Sequence, residues 1–85
     1  MAKVVMYCTE VCPYCVNAER LLTRRGVNQI EKIRIDLEPH RQEEMIRITR
    51  RRTVPQIFID DRHIGGFDDL SELDQDGGLL PLLQA

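Results

Sequence analysis

Two cysteines three residues apart, in Cys12-Pro13-Tyr14-Cys15, separate a short apolar run from a stretch with helical apolar spacing. That placement sets both thiols one turn apart at the N-terminus of a helix. Such a terminus offers backbone N–H groups without intrahelical partners and the positive end of the helix dipole, and both favour a thiolate over a thiol. Pro13 suits the first helical position, because its missing N–H would have had no partner there and its φ is already near the helical value. Residues i and i+3 are neighbours on a helix surface, so Cys12 and Cys15 can close and reopen a small disulfide without large backbone movement. The pattern points to thiol–disulfide exchange.

Other uses of the pair fit less well. A zinc site needs about four ligands, and the remaining candidates, Cys8, His40 and His63, stand singly with no second paired motif. No metal is therefore expected. Cys8, Cys12 and Cys15 also have the spacing of the iron–sulfur signature of radical enzymes that use S-adenosylmethionine, but those need a large barrel that 85 residues cannot build. Two small core residues are the plainest alternative.

The chain is long enough for one core and is read as a single domain spanning 1–85. A formal charge of −2 with 31% charged residues argues against nucleic-acid partners, and 42% hydrophobic residues argues against disorder. Three cysteines make an odd number, and the run from Met1 to Met6 is too short for a signal peptide, so a reducing cytoplasm is expected. No apolar run approaches the ~20 residues that span a bilayer, so no membrane partner is expected.

Val4-Val5-Met6-Tyr7 reads as a buried strand. From Pro13, the apolar positions Cys15, Val16, Ala18, Leu21 and Leu22 recur at helical spacing, and Gly26 supplies a stop. Ile30, Ile33, Ile35 and Leu37 alternate with charged residues as a second strand, completing a right-handed βαβ unit. A second helix runs from His40 to Thr49, with Glu43 and Glu44 near its favourable end. Gln56-Ile57-Phe58-Ile59 and Arg62-His63-Ile64 form an antiparallel hairpin about Asp60-Asp61. Gly65-Gly66 ends it, Asp69 with Glu72 suggests a capping box for a third helix, and an apolar tail around Leu79 and Leu83 covers the core. The fold class is thus α/β: a βαβ unit, a helix and a ββα unit. Cys8 reads as an inert buried thiol, and Arg47, Arg50, Arg51 and Arg52 as a solvated basic face able to steer anionic partners.

Three segments in this order, CPYC at 12–15, TVPQIFI at 53–59 and GGFDD at 65–69, resemble the dithiol glutaredoxins of the small bacterial type, and the likeness spans essentially the whole chain. The resemblance implies a thioredoxin-like fold with a four-stranded mixed sheet flanked by helices. It also implies a monomeric oxidoreductase with no resident cofactor, using glutathione as co-substrate to reduce disulfide-containing or glutathionylated proteins. Cys12 would be the nucleophile and Cys15 the resolving thiol. The Val54–Pro55 bond would be cis, exposing the Val54 backbone to the cysteinyl part of glutathione as one more strand. Gly66, Phe67 and Asp68 would take the γ-glutamyl end, whose carboxylate suits free helix N–H groups and whose ammonium suits a carboxylate. Tyr14, Gln42 and Thr53 would complete the groove. Thr9 stands where relatives usually carry a lysine for the glycyl carboxylate, and Arg50 where they commonly have glycine. Two other uses of these residues are an iron–sulfur carrier built from Cys12 and glutathione in a dimer, and a redoxin reduced by a flavoprotein.

Overall fold

The computed structural model describes residues 2–85. Its elements are β1 (Val4–Cys8), α1 (Pro13–Arg24), β2 (Ile30–Arg34), α2 (Pro39–Thr49), β3 (Gln56–Ile59), β4 (Arg62–Gly65), α3 (Phe67–Gln75) and α4 (Leu79–Gln84). The strands form a mixed sheet in the order β2-β1-β3-β4. β1 runs parallel to β2, as its helical crossover requires, and antiparallel to β3, with Met6 opposite both Lys32 and Ile57. β3 and β4 pair antiparallel.

Strand periodicity divides the core in two. Val4, Met6, Ile57 and Ile59 point to the side covered by Leu22, Leu70 and Leu79 from α1, α3 and α4. Tyr7 and Phe58 point to the other side, against Met45 of α2. The central strands are therefore buried on both faces, which explains the unbroken apolar run at Val4–Tyr7.

Three expectations shift by a few residues. β2 ends at Arg34, and Leu37 is 69% exposed instead of continuing the strand. The chain turns here because the Arg34 guanidinium forks onto Asp36 at 2.8 and 2.6 Å while the Leu37 and Glu38 N–H groups donate to the Arg34 carbonyl. Glu43 and Glu44 lie beyond the first turn of α2, because the helix begins at Pro39. Glu44 instead accepts a 2.5 Å hydrogen bond from the Tyr7 hydroxyl; burial, reinforced by that carboxylate, pushes the phenol up to about 12. α3 begins at Phe67, so Asp69 is its third residue and Glu72 is not its capping partner.

Two turns carry side chains at positive φ. Asp60 and Asp61, at φ 48 and 67, make the tight hairpin turn in which both central residues are left-handed. Arg50, at φ 62 and ψ 21, ends α2 in the left-handed conformation, where its N–H donates to the Ile46 carbonyl at 2.8 Å. A β-carbon there costs about 1–2 kcal/mol relative to an ordinary conformation.

Candidate active site

Cys12 is the N-cap of α1, with extended backbone at φ −149 and ψ 94, and Pro13 is the first helical residue. The N–H of Cys15, the third helical residue, donates to the Cys12 sulfur at 3.2 Å. This is the place a serine or aspartate oxygen takes at an ordinary helix start. The first turn holds no acidic side chain to compete for the helix dipole. Cys12 and Cys15 are joined as a disulfide, their Cα atoms 5.2 Å apart. Cys15 lies within the helix, and both cysteines are buried in the same core cluster, Cys12 at 8% and Cys15 at 5% exposure, so their roles are distinguished by position at the helix start and not by burial.

The third cysteine, Cys8, is a buried free thiol at the end of β1, and burial pushes its pKa up. The chain thus holds one thiol whose surroundings favour the proton and one pair at a helix start.

Facing the dithiol is an open groove of about 350 Å³. One wall is the Thr53-Val54-Pro55 segment, in which the Val54–Pro55 bond is cis. The Cys12 sulfur lies 3.8 Å from the Val54 carbonyl oxygen. The other wall is the start of α3, with Gly66, Phe67 and Asp68. Tyr14, 60% exposed, bridges the two, its ring 6.4 Å from that of Phe67 and tilted by 31°. Seven of the residues assigned to glutathione by resemblance thus meet in one place. Thr9 and Gln42 lie outside them: Thr9 is half-buried with its hydroxyl 3.4 Å from the Val11 carbonyl, and Gln42 is exposed on α2.

Two further residues line the groove, Arg51 and Asp69. The Asp69 carboxylate accepts from the Gly66 N–H at 2.9 Å and from Arg51 Nη1 at 2.8 Å. The Arg51 guanidinium, with help from the Gly66 N–H, holds this carboxyl below its ordinary range. Arg51 is therefore paired across the groove and is not part of a purely solvated basic face. An aspartate three residues after Gly66 is a local signal for the cap, but nothing near Arg51 in the sequence announces its partner. Gly65, at φ 118, is required here, because a β-carbon would stand 2.3 Å from the Asp69 carboxylate oxygen.

A larger concavity of about 810 Å³ lies at the other end of β1, between Lys3, Val27 and Leu83, away from the dithiol. No cysteine lines it, whereas the smaller groove has Val54 in its wall, with the Cys12 sulfur 3.8 Å from the Val54 carbonyl oxygen, so the chemistry belongs to the groove.

Comparison with known proteins agrees with this geometry. The glutaredoxin family model matches residues 4–64. The chain is 52% identical to glutaredoxin 3 of Escherichia coli over 99% of its own length and 100% of that protein's. It is 49% identical to a glutaredoxin of Neisseria meningitidis, covering 98% of each chain. Among solved structures, a buckwheat glutaredoxin–glutathione complex superimposes with a TM-score of 0.90 at 32% identity, covering 98% of this chain and 77% of that one. Sheet order, flanking helices and dithiol place the chain in the thioredoxin fold. With a cap-position dithiol facing a cis-proline wall and relatives matching over their whole length, the chain belongs to the glutaredoxin family.

Proposed function

We propose that this glutathione-dependent thiol–disulfide oxidoreductase works through Cys12 as nucleophile and Cys15 as resolving thiol, in the cytoplasm and as a monomer, on disulfide-containing or glutathionylated proteins. The observation that carries the assignment is the Cys12 sulfur at the α1 cap, receiving the Cys15 N–H at 3.2 Å beside the Val54 wall. In the reduced protein the same N–H and the helix dipole stabilise a negative sulfur.

The Cys12 thiolate attacks the glutathione sulfur of a protein mixed disulfide. The old S–S bond breaks, the protein leaves as a thiolate that takes up a proton, and glutathione remains on Cys12. The thiolate of a second glutathione attacks that glutathione sulfur, forming glutathione disulfide and restoring the Cys12 thiolate. On a protein disulfide, Cys12 forms the mixed disulfide with the substrate. Cys15 then attacks the Cys12 sulfur, expels the reduced protein and leaves the Cys12–Cys15 disulfide for two glutathiones to reduce.

The groove supports the placement of glutathione. The Val54 backbone pairs with the cysteinyl residue. The N–H groups opening α3 take the γ-glutamyl carboxylate, and Asp68, exposed and adjacent, takes the ammonium. Tyr14, Thr53, Pro55 and Phe67 form the surrounding surface. Thr9 and Gln42 are assigned to the glycyl end beyond the groove. The absence of the usual lysine at position 9 weakens that contact by about 1 kcal/mol or less, so Thr9→Lys lowers the KM for glutathione.

A glutathionylated peptide, assayed with glutathione, glutathione reductase and NADPH, tests the roles. Cys12→Ser abolishes turnover, whereas Cys15→Ser retains deglutathionylation and loses protein-disulfide reduction. The reverse pattern refutes the assignment.

A further inference from the structure

Among the described residues, Gln56 is a fully buried polar side chain, directly after the cis Val54–Pro55 bond. Its Nε2 donates to the Thr53 carbonyl at 3.0 Å and lies 3.4 Å from the Thr53 hydroxyl. Its Oε1 lies 2.7 Å from Nε2 of His63 on the neighbouring strand. A carbonyl can only accept, so the Gln56 amide nitrogen must face Thr53 and its oxygen must face His63. His63 is thereby required to donate through Nε2, which fixes its tautomer. The imidazole ring packs against Phe58, with 5.1 Å between centroids and a tilt of 34°. Burial, with Arg51 nearby, pushes the His63 pKa down.

Thr53 and Val54 lie before β3 begins and so outside the sheet ladder, yet they form the wall nearest the Cys12 sulfur. A buried amide with both ends used leaves this wall little freedom, because any displacement of Thr53 unpairs a donor that water cannot reach. We propose that Gln56 and His63 are positioning residues that hold the Thr53-Val54 wall in register for the glutathionyl group without touching it. This rests on the placement of the cysteinyl residue against Val54. Gln56 acts from inside the protein and His63 from β4, so neither contacts the reacting sulfurs.

Two variants separate positioning from packing. Gln56→Met keeps length and burial but removes both hydrogen bonds, and His63→Phe keeps the stack on Phe58 but removes the N–H. With a glutathionylated peptide as varied substrate, each is expected to raise KM about three- to tenfold, a neutral hydrogen bond's effect. In each, kcat stays within about twofold and the alkylation rate of Cys12 by iodoacetamide is unchanged, as expected for a contact acting through the wall. His63→Gln, which restores a donor, should bring KM back toward the wild-type value. Should Gln56→Met fail to fold, the partly exposed His63 variants decide the matter. A His63→Phe protein that melts normally with an unchanged KM overturns the inference while leaving the glutathione assignment intact. A wild-type protein that does not saturate with the peptide overturns the groove placement, and this inference with it.

Discussion

The helices that open onto the groove begin in opposite ways. α1 starts with a sulfur in the capping position and no acidic residue in its first turn. α3 starts with Gly66, which has no capping side chain, and carries Asp68 and Asp69 in its first turn. At α1 the free N–H groups and the dipole act on the protein's own nucleophile. At α3 Asp69 folds back onto the Gly66 N–H and is neutralised by Arg51, which leaves Asp68 and the remaining N–H groups for a substrate that carries both charges. The same backbone feature serves chemistry at one helix and recognition at the other, and the difference lies in the first four side chains.

The sharpest way to break the comparison is Cys12→Ser. Serine is itself a strong N-cap, so the reduced variant should melt within about 1 kcal/mol of the reduced wild type while its turnover vanishes. A large loss of stability would mean that the sulfur serves the fold as well as the reaction.

Asp69→Ala should cost about 1–2 kcal/mol, read from urea unfolding, and raise the KM for glutathione by loosening Gly66. The associated pH dependence has a definite sign. Because the folded carboxyl is held below its ordinary range, its contribution is present above the unfolded value near pH 4 and is lost as pH falls through the folded value. Asp69→Asn should flatten that part of the acid limb, and an unchanged limb would show that the Arg51 contact contributes nothing. Tyr7 supplies the opposite slope at the other extreme. Its folded pKa, about 12, exceeds its ordinary 10, so its contribution holds below pH 10 and is lost between the two.

A third helix end borders the same region, the left-handed stop of α2. Arg50→Gly relieves the β-carbon at φ 62 and should stabilise the protein by about 1 kcal/mol or less, measured as a rise in the urea midpoint, with activity unaltered. The smallest effect sharpens the contrast at α1. Val16→Asp places a carboxylate in its first turns, and a charge near a helix end is worth about 0.3–1 kcal/mol. The pH profile of Cys12 alkylation should then move upward by less than about one pH unit.

The local features were legible because their causes lie within a turn of chain. The cap at Cys12, Pro13 as first helical residue, the limits of β3 and the Asp60-Asp61 turn all follow from neighbours a few residues away. The start of the third helix differs by three residues from the sequence expectation, because Asp69 fits a capping box either with Glu72 after it or with Gly66 before it, and the second, which Arg51 reinforces, is the one formed. Alternation alone extends the second strand to Leu37, whereas the Arg34 fork onto Asp36 turns the chain before it.

Sequence by itself determined where the sulfurs sit relative to a helix start and which segments alternate or repeat at helical spacing, since capping, propensity and periodicity act over short separations. Tertiary structure alone decided which distant groups meet. Cys12 approaches Val54 across 42 positions, Tyr7 donates to Glu44 across 37, and Arg51 finds Asp69 across 18. Those meetings depend on how the helices settle on the two faces of the sheet, where small shifts in packing exchange one polar partner for another and no local preference chooses between them.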